Sequence, residues 1–238
     1  MKRRLKAHQA ERHQGLSRSN IRDIILGFQD GLVNTLGLVL GVASAVQNSQ
    51  IVLISGLVTT FAESVSMAAV AYTSTKAAHE FYESQLQREK QEIQEMPHME
   101  VEEIRQIYLK KGFRGKQLEG IVKKITSDKK LWLETMMSEE LKLYPEDYDS
   151  PFKSSFVVGM SAVVGSLIPV LPFFFVSVKT GMIVALILSV LTLFIVGAVK
   201  AKLTIGNWKK SGLEMAIVGT VAALVGYVVG SFLGVVYT

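Results

Sequence analysis

Residues 51–75 read IVLISGLVTTFAESVSMAAVAYTST, and residues 76–95 continue KAAHEFYESQLQREKQEIQE. The first stretch carries a single formally charged residue, Glu63, and is long enough to cross about 30 Å of hydrocarbon as a helix. The second is charged on nearly every turn and belongs in water. One helix is therefore expected to carry the chain out of a membrane and straight into an aqueous segment.

Four further windows have the same apolar length: 24–46, 155–178, 181–199 and 213–237. Core helices of a soluble protein would need a far larger polar shell than 238 residues supply. The first window also resembles a signal peptide, with a basic tail before it and Ala43-Ser44-Ala45 as a small-residue cleavage site. Gln29, Asp30 and Asn34 inside it, and the length of the tail, favour a retained span. The expected fold is all-α: a polytopic membrane protein with five transmembrane helices and a helical insert between spans 2 and 3.

Composition agrees with this division. The chain is 49% hydrophobic with a mean hydropathy of +0.30, yet 20% of its residues are charged, so the charge must be segregated. Sixteen of its twenty-one acids fall between Glu80 and Asp149. This excludes a single soluble domain, a disordered chain and a fibrous repeat. The absence of cysteine excludes a disulfide scaffold, Cys-ligated zinc, iron–sulfur clusters and thiol catalysis. A net charge of +5 crowds the ends of apolar segments, which points to a membrane surface and not to nucleic acid. Without a P-loop, a dinucleotide fingerprint or a nucleophile constellation, neither an enzyme nor a tightly bound cofactor is expected.

Orientation follows from Lys and Arg, which stay on the cytoplasmic side. Lys2, Arg3, Arg4, Lys6, Arg12, Arg18 and Arg22 precede the first span, and Lys200, Lys202, Lys209 and Lys210 lie between the fourth and fifth. The opposite loops are nearly bare: 47–50 has no charge, the turn after the third span has only Lys179, and the C-terminal end has none. The reading gives residues 1–77 as a basic tail with spans 1 and 2, residues 78–152 as a cytoplasmic helical domain, and residues 153–238 as spans 3 to 5. The C-terminus is expected outside, and the cell membrane is the expected location. Pro169 and Pro172 should kink or end the third span. Glycines four apart, Gly27 and Gly31, Gly37 and Gly41, then Gly226, Gly230 and Gly234, imply close helix packing or dimerisation. Glu214 is expected to form an interfacial ion pair with Lys209 or Lys210.

Asp30 and Glu63 lie well inside the first two spans, where an ionised carboxylate costs about 2.5–3.5 kcal/mol unless paired, protonated or bound to a cation. Asp30 and Asn34 share a helix face, and Thr59, Glu63 and Met67 form a second stripe. Opposed, these stripes would present carboxylates, amide and hydroxyl oxygens and a thioether. Such a lining suits a divalent cation of intermediate softness, Fe2+ or Mn2+. The plainer alternative is a protonated acid hydrogen-bonded within the bundle.

The 78–152 segment reads as helices at 77–95, 99–111, 116–127 and 129–143, separated by Pro97, Gly112–Gly115 and Ser127-Asp128. Glu89 and Glu92 occupy one helical face, as do Glu100 and Glu103, and a turn at Pro97 could bring the two faces together. Met136, Met137 and Glu140 on the last helix would add thioethers and a fifth carboxylate. Against this stands the reading of charged faces that are merely solvated, with Met136 and Met137 as core. Glu95 and His98 have the spacing of a di-iron bundle, but Pro97 breaks the helix that geometry requires.

Asp30-Gly31-Leu32, Ser66-Met67-Ala68, Arg88-Glu89…Glu92 with Pro97 and Glu100…Glu103, and Trp132-Leu133-Glu134-Thr135-Met136-Met137…Glu140 together resemble the vacuolar iron transporter family over nearly the whole chain. The resemblance implies a homodimer that exports Fe2+, often also Mn2+, from the cytosol in exchange for protons, along a path between the subunits. Carried over by position, Asp30 and Met67 match pathway residues. Glu89, Glu92, Glu100, Glu103, Met136, Met137 and Glu140 match a cytoplasmic metal-binding domain. One departure is Thr59, where family members place a Glu; here Glu63 puts the carboxylate on the same face one turn nearer Met67. A membrane-anchored iron-binding or storage protein is the alternative, and a mere anchor has no reason to bear the insertion cost of Asp30 and Glu63.

Overall fold

The computed structural model describes residues 18–144, 150–203 and 206–237. Most of the basic N-terminal tail lies outside the described residues. The order is α1 (Arg18–Ala45), α2 (Ser49–Glu95), α3 (Pro97–Lys110), α4 (Gly115–Thr126), α5 (Lys129–Thr135) with a π-helical turn (Met136–Glu140), α6 (Pro151–Val170) with a 3-10 turn (Leu171–Phe174), α7 (Val178–Leu203) and α8 (Trp208–Tyr237). The chain divides into two compact units, one of residues up to Tyr72 together with Phe152 onward, the other Thr73–Pro151.

Five helices, α1, α2, α6 with its 3-10 turn, α7 and α8, are long and apolar enough to cross a membrane. At 1.5 Å per residue the 47-residue α2 is about 70 Å long, more than twice the hydrocarbon thickness. Only its apolar part up to the mid-seventies can lie in the membrane, and the charged part from Lys76 onward lies beyond it.

Within the bundle the helix directions follow from which residues meet. Gly27 lies against Val158 and Gly31 against Ala162, so α1 and α6 run in parallel. Gly37 faces Ala222 and Gly41 faces Gly226, so α8 runs the same way. α2 runs against them, with Gly56 beside Val39 and Val170. α7 is antiparallel to α8, since Gly197 meets Ser211 and Gly219 meets Leu193. The start of α1 and the end of α8 therefore lie at opposite faces of the bundle. A core of Leu36, Val39, Leu40, Ala43, Val52, Val170, Phe173 and Ala185 fills its centre.

The glycine stripes are used within one chain. A Cβ on Gly31 would stand 2.7 Å from Ser166 Oγ, and one on Gly41 2.9 Å from the Gly226 carbonyl oxygen. These helices touch backbone to backbone, which small residues allow and lipid-phase packing favours. Gly27, Gly31, Gly37, Gly41, Gly226 and Gly230 thus have partners inside the bundle. Gly234 lies outside the residues whose packing is described.

The prolines act as expected: the α-helix of α6 ends at Val170, between Pro169 and Pro172, and the chain tightens into the 3-10 turn. Another local expectation fails. Glu214 makes no ion pair with Lys209 or Lys210 among the described residues. A Lys four residues before a Glu is the less favourable order on a helix, and Lys209 Nζ instead lies 5.5 Å from the Trp208 ring centre.

The second unit has its own core of Ile93, Ile104, Leu118, Val122, Ile125, Trp132 and Met136. Its punctuation is legible residue by residue. Pro97 begins α3, where its missing N–H costs nothing. α3 ends in a Schellman motif: Phe113 N–H reaches the Tyr108 carbonyl, Gly112 N–H reaches Leu109, and Gly112 adopts φ 97°. The Phe113 and Tyr108 rings close the motif with centroids 6.0 Å apart. Asp128 caps α5 by accepting from the amides of Lys130 and Leu131. The final helix differs from expectation, because α5 stops at Thr135 and the chain widens into a π-helical turn.

Replacing Gly27 by Ala should lower the thermal midpoint in detergent, since the new Cβ is driven into the Val158 backbone at a cost of about 1–3 kcal/mol. Gly120→Ala, with nothing within 4 Å of its Cβ, should be neutral or stabilising by up to ~1 kcal/mol.

Candidate functional site

Three of the five bundle residues singled out in the sequence come together. Asn34 Nδ2 on α1 donates a 2.7 Å hydrogen bond to Glu63 Oε1 on α2. The Asp30 carboxyl, one turn earlier on α1, faces both Glu63 and Asn34. The helices supply this convergence by running antiparallel, so the α1 stripe of Asp30 and Asn34 opposes Glu63 at one depth. Thr59 and Met67, each one turn from Glu63 on α2, are half-buried on the same helical face. Among the described residues neither makes a hydrogen bond to Asp30, Asn34 or Glu63.

The trio is not sealed inside the bundle. Asn34 is exposed and Asp30 and Glu63 are half-buried. On the side of α2 turned away from Glu63, Val58, Phe61 and Val65 form a bare apolar face, Val65 being 70% exposed. A carboxylate pair with an amide offers several oxygens to a cation, and one carboxylate can accept a proton when no cation is present.

The second unit gathers the other predicted acids. Glu89 and Glu92 on α2, Glu100 and Glu103 on α3 and Glu140 in the π-helical turn lie near enough to repel one another. Glu89 and Glu100 are each only 4% exposed, and Oε2 of each is buried with no hydrogen-bond partner. Glu92 is held at 3.0 Å by Arg88. Burial, then the charges of Glu140, Glu100, Glu92 and Glu103, pushes the Glu89 carboxyl up to about 7. Burial, then Glu103, Glu92 and Glu140, pushes Glu100 up to about 7. Glu140 is raised by burial and by the Glu103 carboxylate. Among the described residues no three His, Asp or Glu side chains stand in single-ion geometry.

The methionines differ from the acids. Met136 is wholly buried in the apolar core beside Trp132, and Met137 is 2% exposed. Sequence reasoning missed Asp23. It sits at the edge of the first apolar window, buried on α1, and accepts a hydrogen bond from Ser154 Oγ at 2.6 Å. The only local signal was its spacing of seven residues before Asp30.

The acids of the second unit make its stability depend on pH in a definite direction. Glu89 and Glu100 have an ordinary value of 4.5 and rise to about 7 when folded, so the folded state holds protons more tightly. That stabilisation is complete below 4.5 and is lost as pH rises through about 7. In metal-free protein carrying Trp208→Phe, Trp132 fluorescence should report a higher urea midpoint near pH 5 than near pH 8. Adding Mn2+ should raise the midpoint near pH 8 and do little near pH 5, because protons and cation compete for the same oxygens. A midpoint that climbs with pH in metal-free protein would show that the acids are ordinary solvated groups.

The chain matches the model of the VIT family over residues 21–231. It is 32% identical to the vacuolar iron transporter 1 of Eucalyptus grandis, over 85% of this chain and 82% of that protein. It is 32% identical to the vacuolar iron transporter of Toxoplasma gondii, over 98% and 81% respectively. It is 30% identical to the vacuolar iron transporter 1 of Arabidopsis thaliana, over 85% and 82%. With a family match across nearly all of its described helices and relatives that are transporters and not enzymes, the chain belongs to the VIT family.

Proposed function

We propose that this chain carries Fe2+, and Mn2+ as a second substrate, out of the cytosol across its membrane in exchange for protons. The observation that carries the reading is the meeting of Asp30, Asn34 and Glu63 in the middle of apolar helices, in a chain whose relatives are named iron transporters. Charged groups at such a depth bear an insertion cost, and a passing cation or a proton offsets it.

The roles divide between the two units. Glu89, Glu92, Glu100, Glu103 and Glu140 concentrate the metal from the cytosol, with Met136 and Met137 becoming ligands only if the π-helical turn opens. Asp30, Asn34 and Glu63 then pass it through the bilayer, Thr59 lends a hydroxyl and Met67 a soft thioether that favours Fe2+ over harder ions. A homodimer completes the path. Asn34 is exposed and Asp30 and Glu63 only half-buried, and a second copy would shield their charges from lipid. The asymmetry of the basic residues supports a cytosolic N-terminus and 78–152 domain, with the C-terminus outside. The relatives' names favour a vacuole-type membrane over the cell membrane expected from the sequence.

Metal uptake into proteoliposomes tests the proposal. Asp30→Asn and Glu63→Gln keep size and remove charge, and each should cut Fe2+ flux roughly a hundredfold, which corresponds to about 2–3 kcal/mol. Met67→Leu should lower flux less and shift preference from Fe2+ toward Mn2+. Wild-type flux from the two charge variants would remove the trio from the path. Tight metal binding with no uptake by the native protein would favour a membrane-anchored store.

A further inference from the structure

Asp23 is only 2% exposed at the start of α1, yet it has no part in the trio. Its Oδ2 accepts the 2.6 Å hydrogen bond from Ser154 Oγ, itself buried, and its Oδ1 faces the Arg22 guanidinium at 3.3 Å. Ser154 lies three residues into α6, the helix by which the chain returns to the bundle after the second unit. At the same place Phe152 meets Tyr72, the last bundle residue of α2, edge to face with centroids 5.1 Å apart. The outgoing and returning helices are thus joined to each other, and the returning one to α1, within three residues of α6.

Beyond this latch α1 and α6 approach closely at their glycines. Gly27 rests on Val158, Gly31 on Ala162, and Gly165 on the Phe28 carbonyl. A seam of touching backbones transmits displacement, because close-packed interfaces have little compliance. Asp30 lies about two turns beyond Asp23 on the same rigid helix.

We infer that Ser154 is a positioning residue for transport: by binding Asp23 it sets the register of α1 on α6, and so the placement of Asp30 against Glu63. Ser154 touches neither the trio nor the acids of the second unit. The inference rests on the transport reading above.

Full-length protein in liposomes, with Fe2+ under anaerobic conditions, tests it. Ser154→Ala should lower the maximal uptake rate roughly tenfold and leave the half-saturating concentration within about twofold, the loss expected when one charge-assisted hydrogen bond disappears. Mn2+ binding by the whole protein, read by calorimetry, should stay unchanged. Asp23→Asn should act in the same direction, and the double variant should be no slower than the slower single one, because the two groups act through one bond. Wild-type uptake by Ser154→Ala, or losses that multiply in the double variant, would overturn the proposal. If the native protein carries no Fe2+, the transport reading falls. Hydrogen exchange then judges the latch alone: faster exchange of the α1 amides ahead of Asp30 in Ser154→Ala supports it, and unchanged exchange overturns it.

Discussion

An ionised carboxylate cannot be left uncompensated among apolar helices, and the arrangement of this chain answers that constraint at Asp23, Asp30 and Glu63. Asp23 receives a hydroxyl from Ser154 and the flank of Arg22. Glu63 receives the Asn34 amide, and Asp30 has Asn34 and Glu63 beside it. In the second unit the constraint is met incompletely, for Glu89 and Glu100 each keep a buried oxygen with no hydrogen-bond partner. A fully paired acid is finished structure. An acid with an unfilled oxygen or a like-charged neighbour remains able to take a proton or a cation.

The glycines decide which acids meet. Close backbone approach at Gly27, Gly31, Gly37 and Gly41 holds α1 between α6 and α8. That leaves the Asp30 and Asn34 face of α1 free to meet α2, and the antiparallel run of α2 brings Glu63 to the same depth. A bulkier residue at any of these glycines would move α1 as a whole. Small residues are therefore part of the site although they offer no ligand.

Much of this was legible in the sequence. Long apolar windows separated by charge marked all five spans, because the hydrocarbon thickness sets a minimum length that few other structures need. Pro97, Gly112 and Asp128 marked the helix ends of the second unit, each through a specific backbone requirement. The convergence of Asp30, Asn34 and Glu63 was readable as two helical stripes, since α-helix geometry alone puts those residues on one face. Other features were hidden. Asp23 and Ser154 are 131 residues apart, and nothing local announces their bond. The π-helical turn and the burial of Met136 arise from packing against Ile93, Ile104 and Trp132, which the local pattern of α5 does not contain. The glycine spacing was legible as close packing, but whether its partner was the same chain or a second copy depended on tertiary structure.

On this account the trio holds either a cation or a proton at every stage, so metal and protons must move in opposite directions and in step. The most direct measurement records internal pH and Fe2+ entry together in liposomes, with metal supplied on the side of the 78–152 domain. The account predicts that each burst of Fe2+ entry raises internal pH, with on the order of two protons leaving per ion to balance its charge, and that an acidic interior accelerates entry. Full-rate Fe2+ entry with no change in internal pH would contradict it.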